Sequence, residues 1–125
     1  MSSAPQRAAS LEAVLLAAGA GSRLGTPKAL LTVRGVWILP RLVSALARGG
    51  ASRVHVVLRA TEYAELRARA WPPETALHAH DTPEDGRTSS LLLGLAAVPQ
   101  EAAVLIHPCD VPLLSASAVR RLVSA

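Results

Sequence analysis

Leu11-Glu12-Ala13-Val14-Leu15-Leu16-Ala17, followed by Ala18-Gly19-Ala20-Gly21-Ser22-Arg23-Leu24-Gly25-Thr26-Pro27-Lys28, decides how this chain is read. The first seven residues form an apolar run of strand length, which predicts a strand buried on both faces. A Gly/Ser/Thr/Pro loop over 18–28 comes next and ends on the chain's single lysine; the other twelve basic residues are arginine. Lysine is a compact point charge that meets a phosphate differently from a planar guanidinium. Gly19, Gly21 and Gly25 let backbone approach an anion and turn amides toward it, and Arg23 and Lys28 add positive charge.

Working outward, the rest of the chain alternates strands with helices. Leu30 to Val36 predicts a short extended segment that turns at Arg34-Gly35. Leu39, Leu42, Val43 and Leu46 have helical spacing, giving a helix over 38–48 that Gly49-Gly50 ends. Strands follow at 54–58, 75–80 and 104–107, with helices at 62–70, 88–98 and 115–123. The helix at 62–70 is expected to run up to Trp71-Pro72-Pro73, and a Ser or Thr is available to cap the helix at 88–98. This order predicts an α/β fold with an open, mostly parallel sheet. Residues 1–10 read as a disordered leader and 11–125 as one domain. A βα unit ending at Ala125 without a closing element reads as a truncated or minimal domain.

Composition excludes several classes. Half the residues are hydrophobic, yet there are only two tryptophans, one tyrosine and no phenylalanine, so the core must be Leu, Val, Ala and Ile. The net charge of +4 is spread over scattered arginines without stacking aromatics, which argues against nucleic acid. No apolar run reaches membrane length, and the stretch Met1 to Ser10 has no signal-peptide hydrophobic region. A lone cysteine, Cys109, forbids an internal disulfide and points to the cytoplasm. Charge is also polarised along the chain. No acid falls between Ala13 and Thr61, and the last acid is Asp110, which suits an anionic ligand with a divalent cation.

Two familiar nucleotide loops do not fit. The spacing is Gly-x-Gly-x-x-x-Gly, and no acid lies about twenty residues on to hold an NAD ribose. Lys28 lies between Pro27 and Ala29, so this is not Walker A. A second loop, His107-Pro108-Cys109-Asp110-Val111-Pro112, puts an aspartate just past a buried strand, where it could ligate metal or cap a turn. No second Cys/His pair has zinc-site spacing. A third region, Gly86-Arg87-Thr88-Ser89-Ser90-Leu91, offers hydroxyls for helix capping or for a nucleotide. His78 and His80 share a strand face, where they read as a satisfied or exposed pair rather than ligands.

Together the three segments, in this order, resemble the MobA-like branch of nucleotidyltransferases, which have an open, three-layer, Rossmann-like GT-A-type fold. The resemblance covers residues 11–115 and implies an incomplete version of that sheet. It implies that Leu16, Ala17, Ala18, Gly19, Ala20, Gly21, Ser22 and Gly25 hold the base and phosphates, largely through backbone. Arg23 and Lys28 would contact the triphosphate, and Ser89 and Ser90 would line the nucleotide site. Asp110 would bind Mg²⁺, and Arg23, Lys28 and Asp110 would carry catalysis. The implied reaction is attack by an acceptor phosphate, such as that of molybdopterin, on the α-phosphorus of an NTP, releasing pyrophosphate. Ala17-Ala18-Gly19 is similar to the cytidylyltransferase form and favours CTP over GTP. Members of the branch usually supply a further acidic metal ligand downstream, and no acid follows Asp110. The alternatives are a non-catalytic nucleotide-binding fragment or regulatory module, and a sugar-1-phosphate or alcohol-phosphate nucleotidyltransferase. An incomplete sheet edge would suit a partner chain or self-association.

Overall fold

The structure is a computed structural model that describes residues 10–18, 28–81, 87–108, 117, 118, 120 and 121. Its elements are β1 (Leu11–Ala17), a 3-10 turn (Lys28–Leu30), β2 (Thr32–Val33), β3 (Val36–Trp37), α1 (Ile38–Arg48), β4 (Arg53–Arg59), α2 (Ala60–Leu66), β5 (Thr75–His80), α3 (Arg87–Ala96) and β6 (Ala103–Pro108). The main sheet is wholly parallel, in the order β5-β4-β1-β6. The chain moves outward from β1 through α1 to β4, and through α2 to β5. It then returns through α3 to lay β6 on the other side of β1.

β1 is buried as its sequence demands: Ala13, Val14 and Leu15 are fully excluded from solvent. Alternate residues serve opposite layers, as strand geometry requires. Ala13, Leu15 and Ala17 pack with Leu39, Leu42, Val43 and Leu46 of α1, with Val54, Val56 and Leu58 of β4 and with Leu66 of α2. Val14 and Ala18 face the other way with Val57, against Leu93 and Leu95 of α3. Helix α1 carries Pro40 in its first turn, where the missing N–H costs nothing. The turn predicted at Arg34-Gly35 joins β2 to β3, and both residues have positive φ, 53° and 79°.

Helix α2 departs from its predicted span of 62–70. It begins at Ala60 and ends at Leu66. The Leu66 carbonyl, which the amide of residue 70 would claim in a longer helix, instead accepts from Arg69 N–H (3.0 Å) and from the Trp71 indole (2.9 Å). Helix α3 likewise stops at Ala96 rather than at 98, where Ala97 and Val98 donate to Gly94 and Leu95 in tight turns. Residues 117, 118, 120 and 121 are helical, inside the predicted last helix.

A buried polar chain crosses three strands on the α3 side. Glu12 of β1 accepts from His55 Nε2 at 2.6 Å, and His55 Nδ1 meets His78 Nε2 of β5 at 2.9 Å. With Nε2–H donated to the carboxylate, a neutral His55 offers a bare Nδ1, so His78 Nε2–H donates. The His55–His78 link holds one proton, since a second would set two N–H groups against each other. Burial, and then His55, hold His78 below its ordinary value of 6.5.

Because the unfolded chain takes up a proton at His78 before the folded one does, stability should fall as pH drops below about 6.5. Urea midpoints measured between pH 7.5 and 5 should show a shallower loss for His78→Gln than for the natural chain. Gly94 gives a second test. A Cβ there would stand 2.5 Å from Val14 Cγ1 and 3.2 Å from Val57 Cγ2, so glycine lets α3 lie on the sheet. Gly94→Ala should cost about 1–3 kcal/mol, read by urea unfolding.

Candidate functional site

Open α/β sheets bind ligands at the carboxyl ends of their strands, where the strand order reverses direction. Here that point lies between β1 and β6, since the two crossovers leading away from β1 lie on one face and α3 on the other. Register aligns the two strand ends: Leu16 sits opposite Pro108, as Leu15 does opposite His107. The carboxyl ends of β1 and β6 therefore lie side by side. On the other flank Ala17 pairs with Leu58, and Leu58 with Ala79, so β4 and β5 end on the same edge.

Of the residues that the resemblance implicates, Leu16, Ala17, Ala18, Ser89, Ser90 and the backbone of Lys28 fall within the described set. Ala17 and Ala18 are buried, each 1% exposed, which leaves backbone as what they can offer a ligand. Gly19, Ala20, Gly21, Ser22, Arg23, Gly25, Cys109 and Asp110 lie outside the described residues. Lys28 opens the 3-10 turn at Lys28–Leu30. The following residue, Ala29, is fully buried, and its carbonyl accepts from the Trp37 indole at 2.7 Å. Trp37 itself meets Trp71 edge-on at 5.0 Å, and the Arg69 guanidinium stacks 4.7 Å from its ring centre. The chain is thus pinned to the core one residue beyond the lysine.

Ser89 and Ser90 lie in the first turn of α3, where the helix's leading N–H groups have no intrahelical partner. Both hydroxyls meet one imidazole. His80, the last residue of β5 and 6% exposed, has Nε2 2.8 Å from Ser89 Oγ and Nδ1 3.3 Å from Ser90 Oγ. Sequence reading had taken His78 and His80 as one pair. They are satisfied, as expected, but by separate partners. The missed signal was position, because His80 closes a strand whose next helix opens on hydroxyls.

A second buried group at this edge also escaped sequence reading. Glu62, in the first turn of α2, accepts from Thr61 Oγ1 at 3.0 Å, while its other oxygen lies 3.9 Å from Arg59 Nε, too far for a hydrogen bond. Among the described residues, no three His, Cys, Asp or Glu side chains form a metal-holding group. No described helix is long and apolar enough to cross a membrane.

Comparison with known families decides what this architecture is. Residues 13–125 match the MobA-like NTP transferase domain. The chain belongs to that family. A nicotine blue oxidoreductase of Paenarthrobacter nicotinovorans is 39% identical over 87% of this chain and 53% of its own length. A 2-C-methyl-D-erythritol 4-phosphate cytidylyltransferase of Klebsiella pneumoniae is 36% identical over 90% and 48%. A molybdenum cofactor guanylyltransferase of Xanthomonas euvesicatoria is 31% identical over 89% and 52%. The chain spans about half the length of these relatives.

Among solved structures, Rv0371c of Mycobacterium tuberculosis superposes with a TM-score of 0.77 at 27% identity, covering 95% of this chain and 61% of that one. A nucleotidyl transferase of Methanothermobacter thermautotroptrophicus gives 0.72 at 28%, covering 92% and 57%. The open, parallel α/β sheet of this MobA-like domain is the fold of both solved structures, the second of them a nucleotidyl transferase.

Trp37→Phe keeps an aromatic ring in the Trp71–Arg69 stack but removes the donor to Ala29. It should cost about 0.5–1.5 kcal/mol in urea unfolding, with the larger loss reserved for Trp37→Ala, which also empties the ring site.

Proposed function

We propose that this MobA-like domain binds an NTP at the β1/β6 crevice and acts as a nucleotidyltransferase, moving a nucleotidyl group to a phosphorylated acceptor with release of pyrophosphate. The observation that carries the reading is the pairing of Leu16 with Pro108. It supports the reading by bringing the ends of β1 and β6 side by side, the ends that the Gly-rich, lysine-ended loop and the aspartate-bearing segment follow in sequence; a polyanion and a cation would meet there. Residues 1–10 would be a leader and 11–125 the nucleotide-binding part of the transferase.

In this reading Leu16 to Gly21, with Ser22 and Gly25, hold base and phosphates through backbone, and Arg23 and Lys28 neutralise the triphosphate. Ser89 and Ser90 stand at the α3 end of the same edge. Asp110 would hold Mg²⁺, which characteristically takes one or two carboxylates together with substrate phosphates and water. A lone carboxylate past β6 fits that donor set, and the ion would supply positive charge against the charge that builds up on the phosphates. Attack on the α-phosphorus asks for positioning and charge, which these residues offer, and for no protein nucleophile.

CTP is the proposed nucleotidyl donor, on the Ala17-Ala18-Gly19 sequence and on the cytidylyltransferase relative, with GTP the competitor that the guanylyltransferase relative keeps in view. A molybdopterin-type phosphate or an alcohol phosphate would be the acceptor. The single cysteine fits the cytoplasm as the place of work.

The oxidoreductase relative favours a second reading, a small-molecule reductase built on the same crevice. The Gly-x-Gly-x-x-x-Gly spacing, with no acid from Ala13 to Thr61, counts against a dinucleotide ribose site.

Calorimetric titration with CTP, GTP, ATP and NADPH, each with and without Mg²⁺, separates the two. The transferase reading expects Mg²⁺-dependent binding of one NTP, with Lys28→Ala weakening it about tenfold or more and stopping pyrophosphate release. Binding of NADPH alone would transfer the case to the reductase.

A further inference from the structure

We propose that Trp37 is a positioning residue for Lys28: its indole N–H, bonded to the Ala29 carbonyl, fixes the backbone turn that carries the ammonium before a nucleotide arrives. The inference rests on the nucleotide reading above and assigns a role to a residue that reading leaves unused.

The lysine segment has little of its own to hold it. Lys28–Leu30 is a single 3-10 turn, a form with poorer hydrogen-bond geometry than an α-helix. Beyond it, β2 and β3 are two residues each and pair with one another, and Thr32 to Val36 are all exposed. A two-stranded hairpin of that kind is marginal by itself. What ties the segment down are bonds from the far side of the hairpin. Ile38 N–H donates to the Leu31 carbonyl at 3.0 Å, and the Trp37 indole donates to the Ala29 carbonyl at 2.7 Å. Any residue but proline at position 38 could make the first bond. The second depends on the side chain at 37.

That side chain is itself held. Trp71 meets the Trp37 ring edge-on at 5.0 Å, and the Arg69 guanidinium lies 4.7 Å from its centre. The Trp71 indole in turn donates to the Leu66 carbonyl at the end of α2, at 2.9 Å. Both of the chain's tryptophans stand in this one stack. The backbone beside Lys28 is thereby referred to α2 as well as to the core that buries Ala29.

Indole chemistry suits the task. An indole nitrogen donates one hydrogen and offers no acceptor, so it holds a carbonyl without presenting a lone pair to the neighbouring ammonium. An amide or hydroxyl tether would bring such an acceptor. The indole is also uncharged, in keeping with a stretch from Ala13 to Thr61 that contains no acid. Lysine carries its charge on a flexible stem, and affinity gains when the backbone under that stem needs no ordering on binding.

A double-mutant cycle on the full chain tests this, read by calorimetry with Mg²⁺ and whichever of CTP, GTP and ATP the natural chain binds. Trp37→Phe keeps a ring in the stack and removes the donor, and should weaken affinity about fivefold. In a Lys28→Ala background the same change should alter affinity by no more than about twofold, because the lysine through which it acts is gone. Trp71→Phe is the matched control. It removes an indole-to-carbonyl bond of the same kind and keeps the ring contact, so it should lower the melting temperature comparably while affinity stays within about twofold of the natural chain's.

Titrations below each variant's melting transition keep loss of folded protein from counting as loss of affinity. A Trp37 that merely supports the fold would weaken binding equally with and without Lys28, or no more than Trp71→Phe does. Either result overturns the positioning role, as does equal affinity of Trp37→Phe and the natural chain, and each leaves the nucleotide reading standing. If the natural chain binds none of the three nucleotides, the nucleotide reading fails and this inference falls with it.

Discussion

β1 is hydrogen-bonded along both edges and packed on both faces, and that confinement fixes the placement of the rest. Its neighbours β4 and β6 are each held to it over six registered residues, so their ends cannot slip relative to its own. A one-residue slip would exchange Ala13, Leu15 and Ala17 with Val14 and Leu16 between two differently shaped layers. The α3 layer is the less tolerant, since Gly94 rests almost on Val14. The Gly-rich loop thus follows, in sequence, a strand that is paired on both sides and buried.

Much of this was legible because burial on both faces leaves a plain mark, an apolar run without alternation. The strand over 11–17, the hairpin turn at Arg34-Gly35 and the helix over 38–48 come out with their observed bounds for that reason and for the glycines that punctuate them. Helix α2 did not, because its end is set by a contact from a residue five positions beyond it. Propensity would carry Arg67-Ala68-Arg69-Ala70 onward as helix, but the Trp71 indole, drawn in by Trp37, takes the Leu66 carbonyl. That information sits in tertiary packing, not in the helix's own residues.

The site was legible in part, and for a related reason. Loop residues suggest chemistry through type and spacing, as Lys28 and Asp110 do in the proposed reading. Side chains that act through partners on other strands do not. In the sequence nothing links Glu12, inside an apolar run, to His55 on another strand; register brings them together with His78. His80 was visible as half of an i, i+2 pair, yet that pairing concealed its partners across the β5–α3 connection. On the α3 face the two polar groups are kept apart, with Val14 and Val57 among the apolar residues packed between the strands and the helix. The amino-terminal group couples three strands, whereas the carboxyl-terminal group joins sheet to helix.

The indole hook on Ala29 has an optical consequence. With no phenylalanine, one tyrosine and two tryptophans, nearly all near-ultraviolet emission must come from the Trp37–Trp71 pair, whose rings are 5.0 Å apart. One of those rings is bonded to the backbone next to Lys28. Any pull on the lysine segment therefore alters the polarity and hydrogen bonding of an emitter, and the chain carries its own fluorescent gauge at the place where a polyanion would draw on it.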